Sequence, residues 1–159
     1  MQIKIKRLMA GFVLSAGPAA IIVGCASMKT GEQDITLAQA SEPARARITR
    51  EIGSGHVDKI SKEVERGKTV YDVEATVEGK HMEYLIAEKD GELLGTEVPI
   101  EFRQLPDPVR AATEKYFGTS TDLTIMKGVE YGETHYEIEG PKNGKTVEIT
   151  FDPNGKKGD

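Results

Sequence analysis

The chain is nearly devoid of cysteine: Cys25 is the one thiol among its 159 residues. A single cysteine excludes an intramolecular disulfide, so the folded part depends on packing for its stability. The chain also has no excess of positive charge, since 21 Lys and Arg stand against 26 Asp and Glu, for a formal net charge of −5. Because nucleic acid is bound through clustered basic side chains, this balance argues against a nucleic-acid partner.

Motifs of known catalytic centres are absent from the sequence. It contains no Gly-x-Ser-x-Gly, no His-Glu-x-x-His and no phosphate-binding glycine loop. Ser54 stands close to His56, but neighbours in sequence do not form a triad, and a flexible loop is expected there. The histidines show no spacing typical of a metal site, and His56, His81 and His135 are predicted to lie at the surface or at strand edges. We therefore expect no enzymatic activity, no catalytic residue, no cofactor and no metal site.

The first 24 residues have the pattern of an export signal. Three basic residues, Lys4, Lys6 and Arg7, precede the uncharged stretch Leu8–Val23, as in a secretory signal peptide. Residues 22–25, Ile-Val-Gly-Cys, resemble the lipobox of bacterial lipoproteins. The resemblance implies cleavage before Cys25, a diacylglycerol thioether on its sulfur and an acylated amino group, which together give stable membrane anchoring.

Two other interpretations of this segment stay open. Gly24-Cys25-Ala26 is compatible with an ordinary cleavage site, which would release a soluble, secreted protein. The stretch Leu8–Val23 is the other possible anchor, although its 16 residues are fewer than the roughly 20 that a spanning helix needs. In a Gram-negative host, Ala26-Ser27 after the cysteine resembles an outer-membrane sorting signal and implies the periplasmic face of that membrane.

The remainder of the chain repeats at a spacing of 65 residues. When Ile35–Glu83 is set on Ile100–Glu148 without a gap, 17 of the 49 positions are identical. Chance would give only a few identities, so residues 35–98 and 99–159 are interpreted as two copies of one unit. Residues 25–34 have no apolar periodicity and are predicted to form the lipidated N-terminus and a tether.

Each copy is predicted to begin with a helix. Pro43 and Pro108 suit the first helical turn, and an acidic residue before each suits the positive end of the helix. Apolar residues then recur at helical spacing as far as about Ile52 and Phe117. A glycine follows each of these positions, where a left-handed cap would end the helix.

Three strands are predicted after each helix, from alternating apolar residues such as those of residues 71–77. The dipeptides Glu78-Gly79 and Asn143-Gly144 predict turns, and Asn143-Gly144 is a strong hairpin signal. Residues 92–100 predict a fourth strand in the first copy. The expected fold class is therefore α+β: two tandem repeats, each a helix packed on one face of a three- to four-stranded antiparallel sheet.

This layout of helix, glycine, strands and glycine turns resembles the PepSY-like domains, a family also described as β-lactamase-inhibitor-like. The resemblance implies an exported or lipid-anchored protein in which two such units present a concave sheet to a partner. It also implies a role in restraining a secreted enzyme such as a peptidase. The matching stretches are residues 105–109, 116–118, 129–132, 136–138 and 149–156 in the second copy, with weaker versions at 67–74 and 79–80 in the first.

Acidic residues alternate with the apolar residues of the predicted strands. If Tyr71 and Val73 face the helix, the acids between and beyond them face away from it. A solvated face kept soluble by its charge accounts for this pattern, and a platform for a basic protein or peptide is the functional alternative. The candidate partner-binding residues are Asp72, Glu74, Glu83, Glu137, Glu139 and Glu148.

The expected function is that of a lipid-anchored envelope protein that binds another protein, with inhibition of a secreted or envelope enzyme as one form of that binding. Two alternatives remain. The first is a cation or small-ligand sensor, in which the acidic faces would collect metal ions. The second is a structural envelope lipoprotein, which would bind no specific protein partner. The expected partners are the membrane, through Cys25, and an envelope or secreted protein.

We predict that the membrane-extracted protein lacks residues 1–24 and carries acyl chains on Cys25. The lipobox requires a thiol at this position, because the lipid is attached as a thioether. Intact-mass measurement of the extracted protein checks the prediction, and Cys25→Ala should abolish both changes. An unlipidated, freely soluble product would contradict the anchor.

Overall fold

The structure is a computed structural model that describes residues 32–158. It contains two α-helices, each preceded by a short 3₁₀ turn at Leu37–Gln39 or Phe102–Gln104. Cys25 and the segment around it lie outside the described residues. Neither helix within residues 32–158 is long and apolar enough to cross a membrane. The helices are α1 (Glu42–Ile52) and α2 (Asp107–Phe117), and the strands are β1 (Gln33–Asp34), β2 (His56–Glu65), β3 (Lys68–Val77), β4 (Lys80–Ala87), β5 (Leu93–Pro99), β6 (Thr124–Glu130), β7 (Glu133–Lys142) and β8 (Lys145–Phe151).

The two helices end where the sequence predicts. The side chain of Ser41 caps α1 by accepting a hydrogen bond from the backbone N–H of Ala44, which satisfies one of the unpaired donors of the first turn. Gly53 and Gly118 follow the last helical residues with φ angles of 57° and 74°. These angles favour glycine because a Cβ would strain the backbone there.

All eight strands form one antiparallel sheet in the order β1 to β8, each paired with its neighbours in sequence. Four of the connections are two-residue turns in which both residues have positive φ. This geometry is that of a type I′ turn, whose twist matches that of the flanking strands. The four turns are Arg66-Gly67, Glu78-Gly79, Tyr131-Gly132 and Asn143-Gly144.

The predicted fold class of two tandem helix-on-sheet repeats is wrong. Strand β5 is hydrogen-bonded to both β4 and β6, with Glu97 opposite Glu83 on one side and opposite Gly128 on the other. It therefore joins what would have been two sheets into a single one. The result is a mainly β protein, and the predicted boundary after residue 98 falls inside β5. Pairing β5 on both sides satisfies backbone groups that separate sheets would leave at exposed edges.

Both helices pack on the same face of the sheet over two apolar clusters. The cluster under α1 contains Ile48, Ile60 and Tyr71 among its buried residues. The cluster under α2 contains Val109 and Ile138. Because side chains alternate along a strand, the residues between these positions lie on the opposite face.

A polar network ties the start of α1 to the sheet. The hydroxyl of Tyr71 donates to Oε1 of Glu88 at 2.9 Å and accepts from the backbone N–H of Ser41 at 3.2 Å. Lys62 also donates to Oε1 of Glu88, at 2.6 Å. These bonds hold the pKa of Glu88 below its usual value, with the bond from Lys62 as the largest cause. Strand alternation places Lys62 on the apolar face that the helices cover. Its ammonium group reaches past the apolar cluster to the carboxylate of Glu88.

At the first turn of each helix, one glycine lets another part of the chain pass close by. Gly91 has a φ angle of 70°, and a Cβ there would overlap the carbonyl oxygen of Pro43 and lie 2.8 Å from its carbon. Gly155 stands in the same relation to Pro108. Gly79 also has a positive φ, of 74°, but a Cβ added there would meet nothing within 4 Å.

We predict that Gly91→Ala destabilises the protein more than Gly79→Ala does. Both variants place a side chain at positive φ, which costs about 1–2 kcal/mol. Only Gly91→Ala adds a clash with backbone, so we expect a total loss of about 3 kcal/mol. Urea unfolding followed by circular dichroism measures both free energies, and equal losses would contradict the close approach of this loop to α1.

Candidate cation site

On the sheet face opposite the helices, a row of six residues runs across six strands, and five of these residues are ionisable. Consecutive members of this row are direct cross-strand partners. Neighbouring strands lie about 4.8 Å apart, so long side chains in such a row can touch. The row consists of Lys59 in β2, Glu74 in β3, Glu83 in β4, Glu97 in β5, Gly128 in β6 and His135 in β7.

Three potential metal ligands converge at the β5–β7 end of this row. Glu97, Glu130 and His135 each direct one ligand atom to a common place, where these atoms all lie within 4.8 Å of one another. Nε2 of His135 is 3.2 Å from Oε1 of Glu97. All three residues are buried, with exposed fractions of 1% for Glu97, 4% for Glu130 and 5% for His135.

Two glycines provide the space in which these side chains meet. Gly128 separates Glu97 from His135 in the row, and a Cβ at Gly128 would overlap the imidazole ring and lie 3.0 Å from its Cδ2 atom. A Cβ at Gly95 would lie 2.7 Å from Cγ of Glu130. Glycine within a strand often marks a close approach of another group. Here the missing side chains let imidazole and carboxylates gather over the strand backbone.

Strand pairing sets the order of the three groups. Glu97 is opposite Gly128, and Glu130 is opposite Gly95, so the two carboxylates sit diagonally across the β5–β6 ladder. The tight turn Tyr131-Gly132 then returns the chain and pairs Gly128 with His135. A hairpin with this turn fixes its own register. Each ligand is therefore placed by backbone hydrogen bonds of a regular sheet.

An apolar patch borders the cluster on the same face. Val70, Leu85, Ala87 and Leu94 are buried there and pack with Tyr131. The guanidinium of Arg66 lies 4.1 Å from the centre of the Tyr131 ring, and burial raises the pKa of the Tyr131 hydroxyl to about 12. An apolar surround of this kind strengthens electrostatic interactions of the neighbouring polar groups.

The donor set suits a divalent cation. Carboxylate oxygen and imidazole nitrogen are common ligands of divalent transition metals. As ligands of a metal ion, two carboxylates and one imidazole would together contribute two negative charges, which a divalent ion matches. Without an ion, Glu97 and His135 would form a buried carboxylate–imidazole pair. The cluster can therefore be tested for two states, one with a bound ion and one without.

A second imidazole–carboxylate pair lies in the middle of the sheet. Nε2 of His81 is 3.2 Å from Oε1 of Glu83. This hydrogen bond is the largest cause of the raised pKa of His81, to which the charges of Glu83, Glu74 and Asp58 add. Burial, followed by the charge of Glu83, raises the pKa of Glu74. Protonation of His81 thus offsets part of the negative charge of the row.

The acids predicted to bind a partner are less accessible than expected. Glu83 and Glu137 are buried, with exposed fractions of 3% and 2%, so the prediction of a solvated acidic face is wrong for these two. The other four candidates, Asp72, Glu74, Glu139 and Glu148, are half-buried. Their assignment to partner binding stays a prediction.

Sequence reasoning missed the cluster. His135 was expected at the surface or at a strand edge, and this is wrong because the residue is buried in the interior of the sheet. Glu97 and Glu130 were not singled out as ligands, since nothing local pairs β5 with β6. The available signal was the presence of two glycines, Gly95 and Gly128, within apolar strand patterns.

Comparison with known proteins supports the fold. The chain resembles the crystal structure, at 2.40 Å resolution, of a protein from Bacteroides eggerthii that is assigned to the periplasm. The TM-score is 0.55 at 13% sequence identity, and the match covers 74% of this chain and 85% of the other. At this identity the likeness concerns the fold alone. No family model and no curated protein sequence matches the chain, so the resemblance to PepSY-like domains stays a prediction.

We predict that the His81–Glu83 pair stabilises the fold in acid and loses this effect in alkaline solution. Because the folded-state pKa of His81 is raised, the contribution is complete below the ordinary imidazole pKa of about 6.5 and disappears as the pH rises through the raised value. Urea unfolding should therefore show that His81→Gln lowers stability more at about pH 5.5 than at about pH 9.

The ring signals of His81 in an NMR titration provide the control for this effect. Glu83→Gln should move the pKa of His81 back toward its ordinary value, because it removes the largest cause of the shift. An equal loss of stability for His81→Gln at both pH values would show that the charge of this pair contributes nothing.

Proposed function

We propose that this protein is an exported, lipid-anchored envelope protein that binds a divalent cation in its sheet. The observation that carries the proposal is the convergence of Glu97, Glu130 and His135, whose ligand atoms lie within 4.8 Å of one another. Of the functions expected from the sequence, this one corresponds to the cation sensor. The ligands differ from the exposed acids first expected to collect ions.

Export is supported by the N-terminal sequence and by the fold. Residues 1–24 have the pattern of a signal peptide, and residues 22–25 resemble a lipobox. The structural neighbour from Bacteroides eggerthii is assigned to the periplasm. In a Gram-negative host the proposed location is the periplasmic face of the outer membrane, with the lipid on Cys25 as anchor.

Five Glu and His side chains of the described residues are buried on this face, and cation binding explains why three of them, Glu97, Glu130 and His135, converge on one place. Burial of charged groups is costly unless they are paired or coordinate a metal. Replacement of a buried ion pair by apolar residues is often neutral or stabilising, so a buried polar cluster is weak evidence for a purely structural role. An ion that binds only the folded state would convert this cluster into a source of stability.

Binding of another protein, with inhibition of an envelope or secreted enzyme, stays a prediction. Glu83 and Glu137 are buried and do not present a free charged platform in the described part of the chain. The remaining candidates on that face are half-buried. The expectation that the protein is not an enzyme also stays a prediction.

We predict that at least one of Ca²⁺, Mg²⁺, Mn²⁺ and Zn²⁺ raises the melting temperature of the metal-stripped, full-length processed protein. An ion at 100 times its Kd would stabilise the fold by about 2.7 kcal/mol. For a domain of this size that gain corresponds to a rise of roughly 5–15 °C. Isothermal titration calorimetry should give one ion per chain.

Matched variants separate the site from surface binding. Glu97→Gln should abolish the shift with every ion, because it removes a carboxylate ligand, and His135→Gln should abolish the shift with Zn²⁺, because it removes the nitrogen ligand. Glu114→Gln and His56→Gln alter exposed residues of the same types and should retain it. No shift with any of the four ions, or shifts that survive Glu97→Gln, would refute cation binding at this site.

A further inference from the structure

The chemistry of the cluster points to one class of cation. We propose that the site selects a transition-metal ion of the zinc class over Ca²⁺ and Mg²⁺, and that Nε2 of His135 is the ligand that makes this selection. Gly128 acts as the positioning residue that admits the imidazole ring. The inference rests on the proposed function and adds to it the identity of the ion and the origin of the selectivity.

Ligand type is the first argument for this selectivity. Ca²⁺ takes six to eight oxygen ligands, and Mg²⁺ takes an octahedron of oxygens and keeps several of its waters. The cluster offers the carboxylates of Glu97 and Glu130, which supply at most four oxygens, and one imidazole nitrogen. Imidazole suits Zn²⁺ and neighbouring transition metals, whereas Ca²⁺ and Mg²⁺ prefer carboxylate, carbonyl and water.

The geometry of the cluster fits a common ion. Zn²⁺ binds imidazole nitrogen and carboxylate oxygen at about 2.0–2.2 Å. Two ligand atoms that are 3.2 Å apart, as Nε2 of His135 and Oε1 of Glu97 are, would then subtend an angle of about 100° at the metal. This angle lies between the octahedral and tetrahedral values. Nε2 therefore already stands at a ligand-to-ligand distance from Glu97, and the ligand atom of Glu130 lies within 4.8 Å of both.

Gly128 determines whether the nitrogen can be used. The ring of His135 lies over Gly128, and a Cβ at that position would overlap its Cε1 and Nε2 atoms. Those two atoms belong to the ligand end of the imidazole. Because the clash involves the far end of the imidazole and no backbone atom, the ring would rotate away while the strand stays paired. An alanine would thus remove the nitrogen ligand without removing the histidine.

The test compares Zn²⁺ with Ca²⁺ in calorimetric titrations of the metal-stripped, full-length processed protein. We expect Zn²⁺ to bind at least about 100-fold more tightly than Ca²⁺. His135→Gln and Gly128→Ala should each weaken Zn²⁺ binding by about 100-fold or more, yet change Ca²⁺ binding by no more than a few-fold. His56→Gln and Gly79→Ala, an exposed histidine and a turn glycine with free space, serve as matched controls.

A direct readout covers the case in which Gly128→Ala disturbs folding. Nitrogen-detected NMR of the histidine rings reports which ring nitrogen binds the metal, and Zn²⁺ should shift Nε2 of His135 in the unaltered protein. Circular dichroism shows whether each variant retains the sheet, and His135→Gln carries the test if Gly128→Ala does not.

The outcomes distinguish this inference from the proposed function. If Ca²⁺ binds through Glu97 and Glu130 as tightly as Zn²⁺, or if Nε2 of His135 does not shift with Zn²⁺, the selectivity is refuted while cation binding stands. If no cation binds, both fail, and the cluster is a buried carboxylate–imidazole pair. Zn²⁺ binding that is lost in both His135→Gln and Gly128→Ala supports both.

Discussion

Strand β5 holds the structure together because it pairs along both of its edges. On one side it continues the sheet beneath α1, and on the other it begins the sheet beneath α2. Without β5, each helix would cover a smaller sheet with an exposed edge, which invites pairing with other chains. The same strand carries Glu97 to the centre of the sheet, between Glu83 and Gly128. Continuity of the sheet and assembly of the polar cluster therefore have one cause.

Features set by local chemistry could be predicted from the sequence. The helix ends at Ile52 and Phe117 follow from prolines at the start and glycines after the end. The turns at Glu78-Gly79 and Asn143-Gly144 need positive φ at both residues, which these dipeptides accommodate. Such signals involve only a few neighbouring residues, so a single sequence contains enough information to identify them.

The single sheet and the cluster could not be predicted in the same way. The pairing of β5 with β6 joins residues across α2, as in the pair Glu97 and Gly128, and no turn specifies its register. Once that register is unknown, His135 cannot be placed beside Glu97, because their side chains meet only across Gly128. The alternation of acidic and apolar residues correctly separates the two faces. It does not reveal which acids of the face opposite the helices are buried.

Stability alone gives little reason for the composition of this cluster. Glycine inside a strand costs roughly 0.5–1 kcal/mol relative to alanine, and the fold has one such residue beside Glu130 and another beside His135. Apolar residues in place of Gly128, Glu97 and His135 would pack a sheet equally well and would avoid the cost of desolvating charged groups. A ligand that binds only the folded state offsets the cost of burying these groups, because its binding free energy adds to the free energy of unfolding. The glycines are best understood as the structural condition for bringing an imidazole and two carboxylates to one point.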